Sequence, residues 1–296
     1  MKYYLGIDGG GTKTTAVVSD ETGKILCKKE GKTINFYGVG MEKARENLLD
    51  VVKAIENELG EITFSSAFIG CSALDSEADE EITEALCGGI IKSEKIGMNS
   101  DLYVALKSAN ANAVAVCGTG SMAIGEKEDG EIIIKGGWGH ILGDEGSAYS
   151  ISLKALKLLA TLCDKGEENE LFLSALDFFG VNDFRGVIDV VYSEKNGKDY
   201  IASFGKIIGE LAEKGNTDAL KIIKKEATAF GETVKALIKD LGKAENLSLY
   251  GGVFENNGIF RDEFIKLIKE EYPQIEISLL TTPPEEGALK VAVERE

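Results

Sequence analysis

The sequence predicts an α/β protein of two packed lobes with a cleft between them. Three observations carry this. Strand-like and helix-like stretches alternate through the first third of the chain. Two blocks, residues 3–18 and 113–125, open in the same way: strand, Gly/Thr-rich turn, strand. The length of 296 residues suits two domains, and no low-complexity tract or long linker interrupts them.

The first block is the most informative. In Leu5-Gly-Ile-Asp-Gly-Gly-Gly-Thr-Lys-Thr-Thr-Ala-Val-Val18, an apolar run ends in Asp8, three glycines follow, and a β-branched run resumes. A dinucleotide fingerprint would open a helix after the glycines, and a P-loop would end in Gly-Lys-Ser/Thr, so neither fits. Glycine admits positive φ and close approach, so turn amides at Gly10 and Gly11 can converge on an anion. Thr12 adds a hydroxyl and Lys13 a cation, while Asp8 offers a carboxylate to a Mg²⁺ shell. The segment reads as a phosphate-handling hairpin of an ATP user. An ordinary glycine turn is the competing account.

Further strands are predicted near 24–30, 63–69 and 94–98, with helices near 40–59, 76–88 and 101–109. Leu48, Leu49, Val52, Ile55 and Leu59 recur at helical spacing. The second block runs Asn112-Ala-Val-Ala-Val-Cys-Gly-Thr-Gly-Ser-Met-Ala-Ile-Gly125, followed by a strand near 131–135. From about 144 to 241 the chain reads as helical, broken at Gly180, Gly197 and Gly215. A strand at 246–250, a helix at 261–270, a strand at 275–280 and a helix at 285–294 close it. The lobes are assigned to 1–111 and 112–296, with the C-terminal helix free to return to the first.

Composition narrows the function classes. The net charge of −17 argues against general nucleic-acid binding. No apolar run reaches transmembrane length and no secretory segment precedes the first strand, so a cytoplasmic protein is expected. Cys27, Cys71, Cys87, Cys117 and Cys163 form no CxxC pair and read as reduced core thiols. With His140 the sole histidine, a His-rich metal site is excluded.

Gly118, Thr119, Gly120 and Ser121 form the second candidate phosphate turn. In Gly136-Gly-Trp-Gly-His-Ile-Leu-Gly-Asp-Glu-Gly-Ser147, five glycines surround the only Trp and the only His. Glycine this dense is entropically costly in strands and helices, so an ordered pocket wall is favoured over core for Trp138. Residues 144–147 also suit capping of the helix that follows. Asp101 has two readings open: an N-cap, favoured on the residues alone, or a carboxylate at a strand's carboxyl end that accepts a proton from an attacking hydroxyl. Thr33-Ile-Asn35 and Cys71-Ser72-Ala73 each follow a strand and are sugar contacts or turns.

The order of these motifs resembles the N-acetylglucosamine kinase branch of the BadF/BadG/BcrA/BcrD ATPase family, within the actin, Hsp70 and hexokinase-like superfamily. The resemblance spans nearly the whole chain, through Asp8-Gly-Gly-Gly-Thr12, Thr33-Ile-Asn35, Asp101, Gly118-Thr-Gly-Ser121, Gly136-Gly-Trp-Gly-His140, Gly143-Asp-Glu-Gly-Ser147 and Gly251-Gly252. It implies two ribonuclease-H-like lobes with ATP and sugar in the cleft between them, and transfer of the γ-phosphoryl to a hydroxyl of an N-acetylated amino sugar, usually at C6. It further implies Asp101 as general base, and Asn35, Ser72, Ser121, Met122, Gly137, Trp138, Gly139 and Asp144 as sugar contacts. Gly10, Gly11, Thr12, Lys13, Gly118, Thr119 and Gly120 would take the phosphates, Gly251 and Gly252 the adenosine, and Asp8 Mg²⁺.

A role in amino-sugar metabolism and cell-wall recycling, and a homodimer, are implied in the same way. Ser72-Ala73-Leu74 stands where relatives often have Ser-Gly-Gly, and Met122 where they often have a small polar residue; both bear on sugar identity. Glucosamine or glucose kinases, ATPase activators of 2-hydroxyacyl-CoA dehydratases and a non-catalytic sugar sensor are the alternatives. The activators need four thiolates for an Fe–S cluster.

Overall fold

The computed structural model describes residues 2–109, 111–193 and 196–296. In chain order, the elements of the first lobe are β1 (Tyr3–Gly9), β2 (Lys13–Asp20), β3 (Ile25–Lys32), α1 (Phe36–Val39), α2 (Met41–Leu59), β4 (Ser66–Cys71), α3 (Glu80–Cys87), β5 (Ile96–Asn99) and α4 (Asp101–Ser108). The second lobe holds β6 (Ala113–Cys117), β7 (Ser121–Glu126), β8 (Ile132–Gly136), α5 (Gly139–Leu142), α6 (Ala148–Lys165), α7 (Glu170–Phe179), α8 (Gly186–Val191), α9 (Lys198–Glu213) and α10 (Thr217–Leu241). It continues through β9 (Asn246–Tyr250), α11 (Gly252–Asn256), α12 (Gly258–Glu271) and β10 (Glu276–Leu279), and α13 (Pro284–Glu294) follows.

Each lobe carries one five-stranded sheet. The orders are β3-β2-β1-β4-β5 and β10-β9-β6-β7-β8. In both, the opening strand pairs antiparallel with the next strand and parallel with a later one: β1 with β2 and β4, β6 with β7 and β9. Read outward from the opening strand, the two sheets therefore have the same topology, and the faint repeat between residues 3–18 and 113–125 is a repeat of two ribonuclease-H-like lobes.

Period-two alternation builds the first lobe. Leu5 and Ile7 of β1 face the core formed with α2, where Ala44, Leu48, Val51 and Ile55 are buried along one helical stripe. Tyr4 points to the other face and packs with Val17 and Leu289. Gly6 is required there: a Cβ would lie 2.4 Å from the Leu289 backbone nitrogen. Gly287 gives α13 a similar approach to α4, where a Cβ would lie 2.1 Å from the Val104 carbonyl oxygen.

The compact units are Met1–Ala111 with Leu280–Glu296, and Asn112–Leu279. In the second, α6, α9, α10 and α12 build a large core with β6, β7 and β9. The helical run expected over 144–241 divides at Gly166 as well, which closes α6 in the left-handed conformation. Among the described residues no helix is long and apolar enough to cross a membrane.

Candidate active site

In the first lobe, β1, β4 and β5 run parallel, so their carboxyl ends share one edge of the sheet. Asp8 lies near the end of β1, Ser72 just after β4 and Asp101 just after β5. The Ser72 N–H donates to the Gly9 carbonyl (2.9 Å), and Thr33 Oγ1 donates to the Gly10 carbonyl (2.7 Å). Asn35 Nδ2 donates to Ser72 Oγ (3.0 Å), while Asn35 Oδ1 caps α1. The two Asn and Ser turns left open by the sequence are thus one connected group beside the Gly9–Thr12 turn.

That turn differs from expectation in its cause. Gly9, Gly10 and Gly11 do not adopt the left-handed conformation. Gly9 is fixed by packing, since a Cβ would lie 2.5 Å from the Ile34 side chain, whereas Gly11 has open space around it. Gly11 and Thr12 are exposed. Lys13, expected at the phosphates, is exposed and ion-pairs with Glu30 across the β2–β3 ladder (2.9 Å).

Asp101 is not the N-cap. Ser100 caps α4, its hydroxyl accepting the Tyr103 N–H (3.2 Å), and Asp101 is the first residue inside the helix. Burial pushes its carboxyl up to about 6, although bonds from the Leu102 and Asp101 amides oppose this. Burial is also the main cause that lifts Asp8 to about 7; the charges of Asp101 and Glu285 add to it, and Lys13 opposes it. Glu285, in the first turn of α13, is buried and ion-paired with Lys28 (2.5 Å). The sequence does not signal its place beside Asp8.

In the second lobe, the Gly118–Ser121 turn is stitched to residues 137–148. The Ala148 N–H donates to the Gly118 carbonyl (2.9 Å), Ser121 Oγ to the Glu145 carbonyl (2.7 Å), and the Gly137 N–H to the Ser121 carbonyl (3.2 Å). Gly136, Gly137, Gly139 and Gly146 all have positive φ, which explains the glycine density. At Gly137 a Cβ would also lie 2.5 Å from Met122 Cε. Ser147 caps α6. Trp138 is not core: it is 74% exposed, next to Ile141 and Leu142, which are also exposed.

Asp144 is 4% exposed and is the one described non-glycine residue with positive φ (64°). Its Oδ2 accepts from Lys198 Nζ (2.6 Å) and its Oδ1 from the Ser121 N–H (3.4 Å). Lys198 opens α9, and sequence reasoning missed it.

Gly118, Thr119 and Gly252 line a cavity of about 640 Å³ in this lobe, together with Asp199, Ser203, Lys206, Glu210 and Asn256. The volume is in the range of small-ligand sites. Beside it, Gly251 (φ 104°) lets the chain after β9 lie against the end of β6: a Cβ there would lie 2.5 Å from the Cys117 carbonyl oxygen. Gly251 itself does not line the cavity, and neither does Gly120. Four of the five thiols are buried. Burial lifts Cys71 to about 11 and Cys87 to about 12, the Cys87 thiol lying against the Met98 sulfur.

The profile of the BadF/BadG/BcrA/BcrD ATPase family matches residues 5–290. The chain belongs to this family. An N-acetylmuramic acid/N-acetylglucosamine kinase of Clostridium acetobutylicum is 31% identical over 99% of this chain and 98% of its own length. An N-acetyl-D-glucosamine kinase of Dictyostelium discoideum is 29% identical over 98% of this chain and 97% of its own. Among solved structures, a Chromobacterium violaceum protein proposed to be an N-acetylglucosamine kinase superposes with a TM-score of 0.79 at 19% identity, covering 99% of both chains. A ROK family glucokinase of Streptomyces griseus gives 0.59 at 15% identity, again over 99% of both. The structures bear on fold alone. With the family match and full-length kinase relatives, this ATPase-family chain is an ATP-dependent sugar kinase.

Proposed function

We propose that the protein transfers the γ-phosphoryl group of ATP to the 6-hydroxyl of an N-acetylated amino sugar, N-acetylglucosamine or N-acetylmuramic acid. One observation carries the reading: Gly118, Thr119 and Gly252, expected at ATP from two distant stretches of sequence, line one cavity of ligand size. The names of the two full-length relatives support the choice of sugar.

Asp101 takes the proton of the sugar hydroxyl as its oxygen bonds to the γ-phosphorus. The bond from that phosphorus to the β,γ-bridging oxygen breaks, and ADP leaves. A carboxyl held at about 6 is largely ionised at neutral pH yet basic enough to accept a proton. Asn35 and Ser72, already hydrogen-bonded to each other, orient the sugar. Ser121, Met122, Gly137, Trp138, Gly139 and Asp144 are the further sugar contacts of this reading. Gly10, Gly11 and Thr12 carry part of the polyphosphate, and Gly118, Thr119 and Gly120 the rest.

Asp8 would offer Mg²⁺ a single hard carboxylate: among the described residues no group of three or more acidic, cysteine or histidine side chains could hold a metal, so phosphate oxygens and water would have to complete the shell. The ion supplies neutralisation of charge on the phosphates.

The test is ADP release, coupled to a spectrophotometric readout, with N-acetylglucosamine, N-acetylmuramic acid, glucosamine and glucose. The expected order of kcat/KM places an N-acetylated sugar first. A higher value with glucosamine or glucose removes the N-acetyl assignment.

A further inference from the structure

The ion pair between Lys198 and Asp144 contains a cation that neither the motifs nor the proposed roles use. Lys198 is the first residue of α9, whose N-cap, Gly197, gives no side-chain bond. A cation at a helix N-terminus opposes the helix dipole, so local structure does not favour lysine here. Tertiary structure does. Asp144 is almost fully buried, and a buried carboxylate without a partner is costly. Lys198 Nζ donates to Asp144 Oδ2 at 2.6 Å and lies 5.9 Å from the centre of the Tyr149 ring.

The location of the ammonium is the decisive feature. A Cβ on Gly120 would lie 3.1 Å from Asp144 Oδ2 and 3.3 Å from Lys198 Nζ. The pair therefore sits directly against the Gly118–Ser121 turn, and a side chain at 120 would have to push it aside by a few tenths of an ångström. The neighbouring Asp199 lines the cavity with Gly118 and Thr119. Lysine carries three donors, and Asp144 takes one. Lys13, the cation the sequence offered to the phosphates, is held by Glu30 instead.

We infer that Lys198 binds the terminal phosphates of ATP at the Gly118–Ser121 turn, using its remaining donors, and that its bond to Asp144 couples this contact to the sugar. This rests on the reading of that turn as a phosphate site. Asp144 keeps the ammonium in place before ATP arrives. Lys198 in turn holds the carboxylate that the sugar meets. Lys198 thus adds a binding role of its own and a positioning role through Asp144.

The experiment is equilibrium binding of AMP, ADP and ATP without sugar, so that the sugar assignment plays no part. Lys198→Met should weaken ATP about ten-fold, ADP less and AMP not at all, as expected for a lost charge-assisted hydrogen bond. Lys198→Arg should recover most of the ATP affinity. Asp144→Asn keeps an oxygen that can accept from the ammonium but removes the charge that holds it, so it should weaken ATP less than Lys198→Met does. Equal losses for AMP and ATP in Lys198→Met, no loss at all, or an Asp144→Asn loss equal to that of Lys198→Met would each overturn the inference. If Lys198→Met does not fold, Lys198→Gln is judged by the same comparison. Thr119→Val separates the two levels: if it binds ATP as the parent does, the phosphate-turn reading itself is wrong. If it weakens ATP while Lys198→Met does not, only the role of Lys198 is lost.

Discussion

Asn35 Nδ2 donates to Ser72 Oγ at 3.0 Å, while Asn35 Oδ1 accepts the amides of Tyr37 and Gly38, both at 3.1 Å. Both ends of the side-chain amide are therefore committed, and its orientation is fixed before any sugar binds. Fixed hydrogen-bonding groups lose little entropy on binding. Ser72→Ala removes one partner without touching the helix cap. The sugar KM should rise several-fold with unfolding temperature nearly unchanged. Asn35→Ala also uncaps α1, at a cost of about 1 kcal/mol. A lowered unfolding temperature with an unaltered sugar KM would reduce Asn35 to a cap.

Asp101→Asn should fold and lose roughly 10²-fold or more in kcat. The raised carboxyl gives two trends of opposite sign. Activity needs the ionised form, so kcat/KM of the parent should rise as pH passes about 6. Stability runs the other way. The folded state holds this proton more tightly than the unfolded chain, whose carboxyl titrates near 3.8. The contribution is full below that value and lost as pH rises through about 6. At pH 8 the ionised Asp101 opposes folding, so Asp101→Asn should be more stable than the parent by roughly 1–2 kcal/mol after solvent screening. At pH 4 the two should be nearly equal. Thermal unfolding at both pH values, beside a pH–rate profile, checks the pair of signs.

Residues in regular, local patterns were legible in the sequence, and residues brought in by tertiary packing were not. The hairpins at 3–18 and 113–125 announce themselves through alternation and glycine, and their likeness anticipates the shared sheet topology. Asn99-Ser100-Asp101 offers three capping residues in a row, and only the structure shows that Ser100 takes the role. Asp199, Lys206 and Glu210 carry no local signature in the sequence; α9, packed on α6, brings them to the cavity. The return of α13 to the first lobe depends on Gly6 and Gly287, single glycines without a local signature.

Gly251 and Gly252 carry different constraints, and alanine separates them. At Gly251, φ of 104° and a Cβ 2.5 Å from the Cys117 carbonyl oxygen mean that β9 must move away from β6. Gly251→Ala should cost roughly 2–4 kcal/mol and lower the unfolding temperature visibly. At Gly252 the nearest atom to a Cβ is Asn256 Nδ2 at 3.6 Å, an ordinary contact. Gly252→Ala should fold as the parent does and raise the KM for ATP, because the new methyl enters the cavity. Normal ATP kinetics in Gly252→Ala would take that residue out of the nucleotide site.

Trp138 supplies an internal reporter. It is the only tryptophan in the chain, and its side chain is largely exposed at the start of α5. Gly137 and Gly139 on either side adopt φ of 72° and 77°, so the backbone that presents the indole is one that glycine makes accessible. An exposed indole is hydrated, and contact with a sugar ring removes part of that water. Adding the true sugar without ATP should therefore shift the emission to shorter wavelength in a saturable way. The midpoint should match the sugar's dissociation constant measured independently. A sugar that is not a substrate, added at the same concentration, controls for solution effects. Gly139→Ala, strained at positive φ, should weaken sugar binding and reduce the shift together. A flat signal at saturating substrate would mean that Trp138 stays hydrated while sugar is bound, and would remove it from the sugar contacts.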